Sequence, residues 1–188
     1  MRLRMFLLVL AFSASLFAQQ SKPIDAANSK LTVHASKSGV FSFAAGHDHT
    51  VAAPIASGSI DETKRTVEFT VNAKDLRVLD PGESDKNRAE IQTTMLSDKL
   101  LDVARFPTIT FHSTKVEQRS PESLAITGDL SLHGQVRPIT LDVKKSGNSY
   151  VGETKLKQTE FGMTPVTVAG GTVKVKDEVK ISFSIVTR

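Results

Sequence analysis

The chain has 188 residues, of which 23% are charged and 39% apolar, with a formal net charge of +4 and no cysteine. This length suits one domain with a buried core, and the composition excludes a disordered chain. The charges are dispersed with no basic tract, which argues against a nucleic-acid partner, and the lack of cysteine excludes disulfides, thiol chemistry and lipidation on sulfur.

At the N-terminus, Arg2 and Arg4 precede an apolar run from Met5 to Phe17, followed by Ala18. A basic start, a short apolar run and a small residue form the layout of a secretory signal peptide, with cleavage expected after Ala18 or, as the next option, after Ser15. The run is too short for a stable membrane span, which takes about 20 residues. Residues 1–18 are therefore read as a signal peptide and 19–188 as a single domain, periplasmic or secreted. Loss of Arg2 and Arg4 removes two positive charges, so much of the nominal basicity belongs to export.

After residue 28 the dominant pattern has period two, which predicts strands. Apolar and polar residues alternate around Leu31 and Val33, Phe41 and Phe43, Val67 to Val71, Ile109 and Phe111, and Leu130 and Leu132. The pattern returns at Ile139 to Val143, Val173 and Val175, and Val179 to Ile185. Turn signals fall at Ser57-Gly58, Asp61 to Lys64, Pro81-Gly82, Gly128-Asp129, Ser146-Gly147-Asn148 and Gly170-Gly171, and Lys176-Asp177-Glu178 reads as a tight hairpin. One stretch breaks the rhythm. Ser84 to Leu101 is rich in helix formers, with Ile91, Met95 and Leu96 on one stripe, and Ser97-Asp98 reads as the cap of a second short helix through Val103. Many strands with one apolar face and one helical insert leave two architectures, sandwich or barrel; a closed barrel removes unpaired edges.

Three segments carry a resemblance. Leu100 to Ser113 (LLDVARFPTITFHS), Gly128 to Leu141 (GDLSLHGQVRPITL) and Gln158 to Met163 (QTEFGM) resemble, in order, signatures of the YceI-like family of lipocalin-like, polyisoprenoid-binding periplasmic proteins, and Val175 to Ile181 resembles its closing hairpin. The similarity spans about residues 24 to 186. It implies an all-β fold, an eight-stranded antiparallel lipocalin-like barrel with a short helical insert around residues 84–103, enclosing an apolar channel for an isoprenoid chain. Near the first strands the sequence departs from the family pattern, with His47-Asp48-His49 following Gly46.

Phe43, Phe69, Phe111, Leu132, Leu141, Ile181 and Phe183 share the apolar face of their strands. Read alone they form either a solid core or the wall of a cavity; the resemblance favours the wall. If the strand carrying Phe41 and Phe43 continues, His47 and His49 share one face at an end of that cavity. They are expected to meet a polar headgroup, to form part of a metal site if a third ligand joins them, or to sit solvated in a loop. His34, His112 and His133 lie opposite the apolar face and are expected to point outward. Arg105 and Arg137 are expected to brace loops rather than to clamp a carboxylate. No nucleophile elbow, phosphate loop or zinc-protease motif is present. The expected function is a binding or carrier protein, not an enzyme, for an isoprenoid or other amphiphilic lipid, with no cofactor and with a homodimer allowed. The alternative is a metal-binding or metal-assisted hydrolytic protein using His47 and His49.

Overall fold

The computed structural model describes residues 21–38, 48–168 and 173–188. The expected signal peptide, Phe41, Phe43, His47 and Gly170-Gly171 lie outside these. The elements in chain order are β1 (Lys22–Pro23), β2 (Lys30–Ser38), β3 (His49–Ala52), β4 (Ile55–Asp61), β5 (Thr66–Asn72), β6 (Arg77–Val78), α1 (Asp85–Leu96) and β7 (Thr108–Ser120). They continue with β8 (Ser123–Leu132), β9 (Gln135–Ser146), β10 (Ser149–Lys157), β11 (Thr167–Val168) and β12 (Val173–Val186).

All strands join one antiparallel sheet in the order β1-β4-β5-β7-β8-β9-β10-β12-β2-β3-β6, with β11 added to β12. The class is the one expected, but among the described residues the strands number twelve rather than eight. The excess has a simple origin. β3 pairs with β2, β4 pairs with β5, and only Ala53-Pro54 separates β3 from β4. The chain therefore carries the sheet around a proline bend, where a missing N–H suits a break in the ladder. Counted as one bent strand, β3–β4 completes a ring of eight, and β1, β6 and β11 are short additions to it.

The register defines two ends. His49, Ala35, Val179 and Leu156 are successive neighbours across β3, β2, β12 and β10. This end also receives the segment between β5 and β7 that carries α1, and we call it the helix end. At the opposite end lie the β4–β5, β7–β8 and β9–β10 turns, with Asp25 and Ile24 donating backbone N–H groups to Val186 and Gly58.

Several local expectations are corrected. Helix α1 stops at Leu96; after it, residues through Arg105 form turns tied by the Asp102 and Leu100 amides to the Ser97 carbonyl, so the second short helix is absent and the insert is shorter than 84–103. The start is as read: the Ser84 hydroxyl accepts from the Asn87 amide. Gln92 pins α1 to edge strand β6, accepting from the Val78 amide and donating to the Leu76 carbonyl, both at 2.8 Å. Lys176-Asp177-Glu178 is not a hairpin but a bulge within the continuous strand β12, where the pairing jumps from Val175–Lys37 to Val179–Ala35. Asp177 holds that bulge by accepting from the Thr159 amide and hydroxyl. Ser57-Gly58 and Gly128-Asp129 are strand interiors, not turns.

Those strand glycines, with Gly152, make room for aromatic rings. A Cβ on Gly128 would lie 2.5 Å from Phe111 Cζ, and one on Gly152 would lie 2.6 Å from Phe183 Cζ. Gly58 faces Phe69 in register, and its Cβ would meet Phe69 Cβ at 2.8 Å. Phe69 in turn stacks on Phe111, with ring centroids 5.5 Å apart. An aromatic ring laid over a neighbouring strand's glycine fills the space its missing side chain leaves.

Candidate ligand cavity

The inward faces of these strands do not close into solid packing. They surround an apolar cavity of about 220 Å³. Phe69, Phe111, Leu132, Leu141, Ile181 and Phe183 all line it, so the described members of the sequence-selected apolar set come together on one wall. At the helix end the wall is completed by Leu76, Met95, Leu101, Phe161 and Met163, which alternation did not flag because they sit on turns and on α1. From Tyr150 to Leu156 along β10 the cavity runs for roughly 20 Å at about 3.3 Å per residue. A volume below the usual range of about 300–1,000 Å³ for drug-sized sites, spread over that length, suits one slim chain and no bulky ring system.

The three signature segments meet at the helix end. Phe106 packs on the His133 ring at 4.5 Å between centroids and lies against Gly134, whose φ of +72° forms the β8–β9 turn with His133. The His133 ring, through Nδ1, donates to the Phe161 carbonyl at 3.1 Å, and Arg137 Nε donates to the Glu160 carbonyl at 3.1 Å. His133 is thus a half-buried clasp rather than an outward, solvated side chain. Arg137 braces the turn after β10, and Arg105 pairs with Asp102 at 3.2 Å while lying over the Phe106 ring.

The other described histidines fall away from the wall. His34 bonds Ser182 on the outer face, and His112 lies 3.8 Å from Glu68 in an exposed pair. His49 is at the helix end, but its ring reaches Asp80 at 2.7 Å instead of the cavity. Burial alone would raise the Asp80 carboxyl; the Thr50 amide and the His49 ring outweigh it and hold it below the usual carboxylate range. Among the described residues no three His, Cys, Asp or Glu side chains gather as a metal site, and His47 is outside them. No helix among them is long and apolar enough to cross a membrane.

At the opposite end Tyr150 forms part of the wall. Its ring lines the cavity, while its hydroxyl donates to Glu62 at 3.0 Å, toward a smaller polar-edged pocket. Glu62 also accepts from Lys145 and from Lys22. Hydrogen bonding from Lys145, then from Lys22, pulls the Glu62 carboxyl down to about 2. Burial first, then Glu62, pushes the Tyr150 phenol above its ordinary range. A depressed folded value means that the stabilisation is complete above the ordinary carboxylate value near 4.5 and is lost as pH falls toward 2. After allowance for solvent screening, Glu62→Gln is expected to cost about 1–2 kcal/mol at pH 7. Urea unfolding at pH 7 and pH 2.5 checks this: the gap between the two proteins should shrink at low pH, and a constant gap refutes the assignment.

The fold and its interior define the class: a lipocalin-like antiparallel barrel around an apolar cavity. Residues 23–187 match the profile of the YceI-like domain, and the chain belongs to that family. It is 31% identical over 131 residues to a UPF0312 protein of Vibrio campbellii, covering 64% of this chain and 65% of that one. It is 37% identical over 90 residues to Protein YceI of Salmonella newport, covering 43% and 47%. The matched stretches thus span less than two thirds of these curated relatives. Among solved structures, Burkholderia cenocepacia BcnA aligns with a TM-score of 0.62 at 18% identity, over 88% of this chain and 99% of that one. A polyisoprenoid-binding domain from Saccharophagus degradans, implicated in plant cell wall breakdown, aligns at 0.57 and 14% identity, over 90% and 99%. At these identities the structures speak to the fold.

Proposed function

We propose that this protein binds one isoprenoid or similar single-chain amphiphile inside its barrel and acts as an exported carrier in the periplasm or beyond. The observation that carries this is the continuous apolar wall formed by Phe69, Phe111, Leu132, Leu141, Ile181 and Phe183. Such a wall needs no directional chemistry: burying about 300 Å² of lipid tail contributes roughly 7 kcal/mol before ordering costs. The polyisoprenoid-binding description of the Saccharophagus domain supports the same class of occupant. Among the described residues, the cavity's polar wall residues are Thr154, Lys157 and Gln158, and they include no nucleophile with an adjoining base, which favours binding over catalysis.

The test is extraction of the purified full chain with organic solvent, followed by mass spectrometry. About one lipid with a single long apolar tail per protein is expected. No extractable lipid, together with no uptake of an added prenol, overturns the reading.

A further inference from the structure

We propose that Gln158 orients the occupant, and that the headgroup it meets is a hydrogen-bond donor such as an alcohol, a phenol or an amide. This rests on the lipid-binding reading above and adds to it the direction of the chain and the chemistry of its polar end. Gln158 follows β10 in a short 3-10 turn, is only 6% exposed and lines the cavity beside Leu156 and Phe161. Its amide nitrogen donates to the Lys176 carbonyl at 2.8 Å. That bond settles which end of the amide is which: the nitrogen is turned to the β12 bulge, and the oxygen is left for an occupant. Among the described residues no donor reaches that oxygen, and a buried amide oxygen without a donor carries a free-energy cost that a ligand hydroxyl or N–H removes.

The rest of the wall gives this atom its meaning. At the far end Tyr150 presents its ring to the cavity and commits its hydroxyl proton to Glu62, so among the described residues that stretch of wall is chiefly apolar. Of the other polar wall residues, Thr154 stands four positions back along β10, and Lys157 is exposed. A chain therefore lies with its apolar tip against Tyr150 and its head at Gln158. The Gln158 turn is in turn held by the bonds from His133 and Arg137 to the Phe161 and Glu160 carbonyls, so the acceptor sits on a fixed support.

The experiment measures binding of geranylgeraniol, its methyl ether and its monophosphate to the full chain and to Gln158→Leu. The wild type is expected to bind the alcohol about tenfold tighter than the ether. Gln158→Leu should abolish that preference while keeping the ether affinity within about twofold. Equal wild-type affinities, or tighter binding of the ether or the phosphate, overturn the proposal and leave the cavity reading standing; this comparison needs no variant. A preference that survives in Gln158→Leu also overturns it. If none of the three binds, both readings fall.

Discussion

Replacing Val33 with phenylalanine is expected to exclude the proposed lipid from the barrel. Val33 lies in the middle of β2, opposite Val51 on β3 and Ile181 on β12, and all three line the cavity. A cavity of about 220 Å³, if filled by one slim chain, would leave no slack for an added ring at mid-length. Extracted lipid should fall at least tenfold. Stability should hold within about 1 kcal/mol, because the new ring occupies space instead of displacing packed atoms. Val151→Phe is the control, since Val151 is exposed on the outer face of β10. Full lipid occupancy in Val33→Phe would show that the chain does not pass that point.

The largest expected loss of stability comes from Phe111→Ala. Phe111 is fully buried, stacks on Phe69 and lies over Gly128, so its removal leaves a void that neither neighbour can fill. The cost is expected at about 3–5 kcal/mol in urea unfolding. Gly128→Ala should cost about 1–3 kcal/mol by the opposite fault, because the new methyl collides with the Phe111 ring and with the His112 carbonyl. The two faults share one ring. Combined, they should therefore cost less than their sum, and strict additivity would contradict the ring-over-glycine packing.

These glycines also explain what the sequence hid. Strands β7, β8 and β9 were legible because Ile109 and Phe111, Leu130 and Leu132, and Ile139 to Val143 alternate cleanly. Strand β10 was missed because Gly152 and Thr154 occupy its inward face and erase the apolar beat. Strand β4 was missed because Ser57-Gly58 has turn chemistry, although Gly58 is there to admit Phe69. The bulge at Asp177 depends on Thr159, a partner 18 residues away that local pattern cannot see. The apolar wall was readable strand by strand. Gln158 stands out in the sequence only as the first residue of a signature, since its amide is fixed by the Lys176 carbonyl 18 residues away. The closing of the ring was not readable, because one bend at Ala53-Pro54 decides it.

Strand β12 pairs with β10 on one side and with β2 on the other. The contact between Leu31 and Phe183 joins positions separated by most of the chain. With no disulfide available to hold the earlier strands together, this long-range pairing is what joins them. Until β12 docks, β2 and β10 present long unpaired edges and the interior is open to water. The last strand is thus the seam of the sheet, and folding is expected to include a long-range search of the kind that takes milliseconds to seconds in β proteins. The proposed lipid, if present during that interval, would meet an open trough instead of a closed barrel, so its loading and folding would draw on the same step.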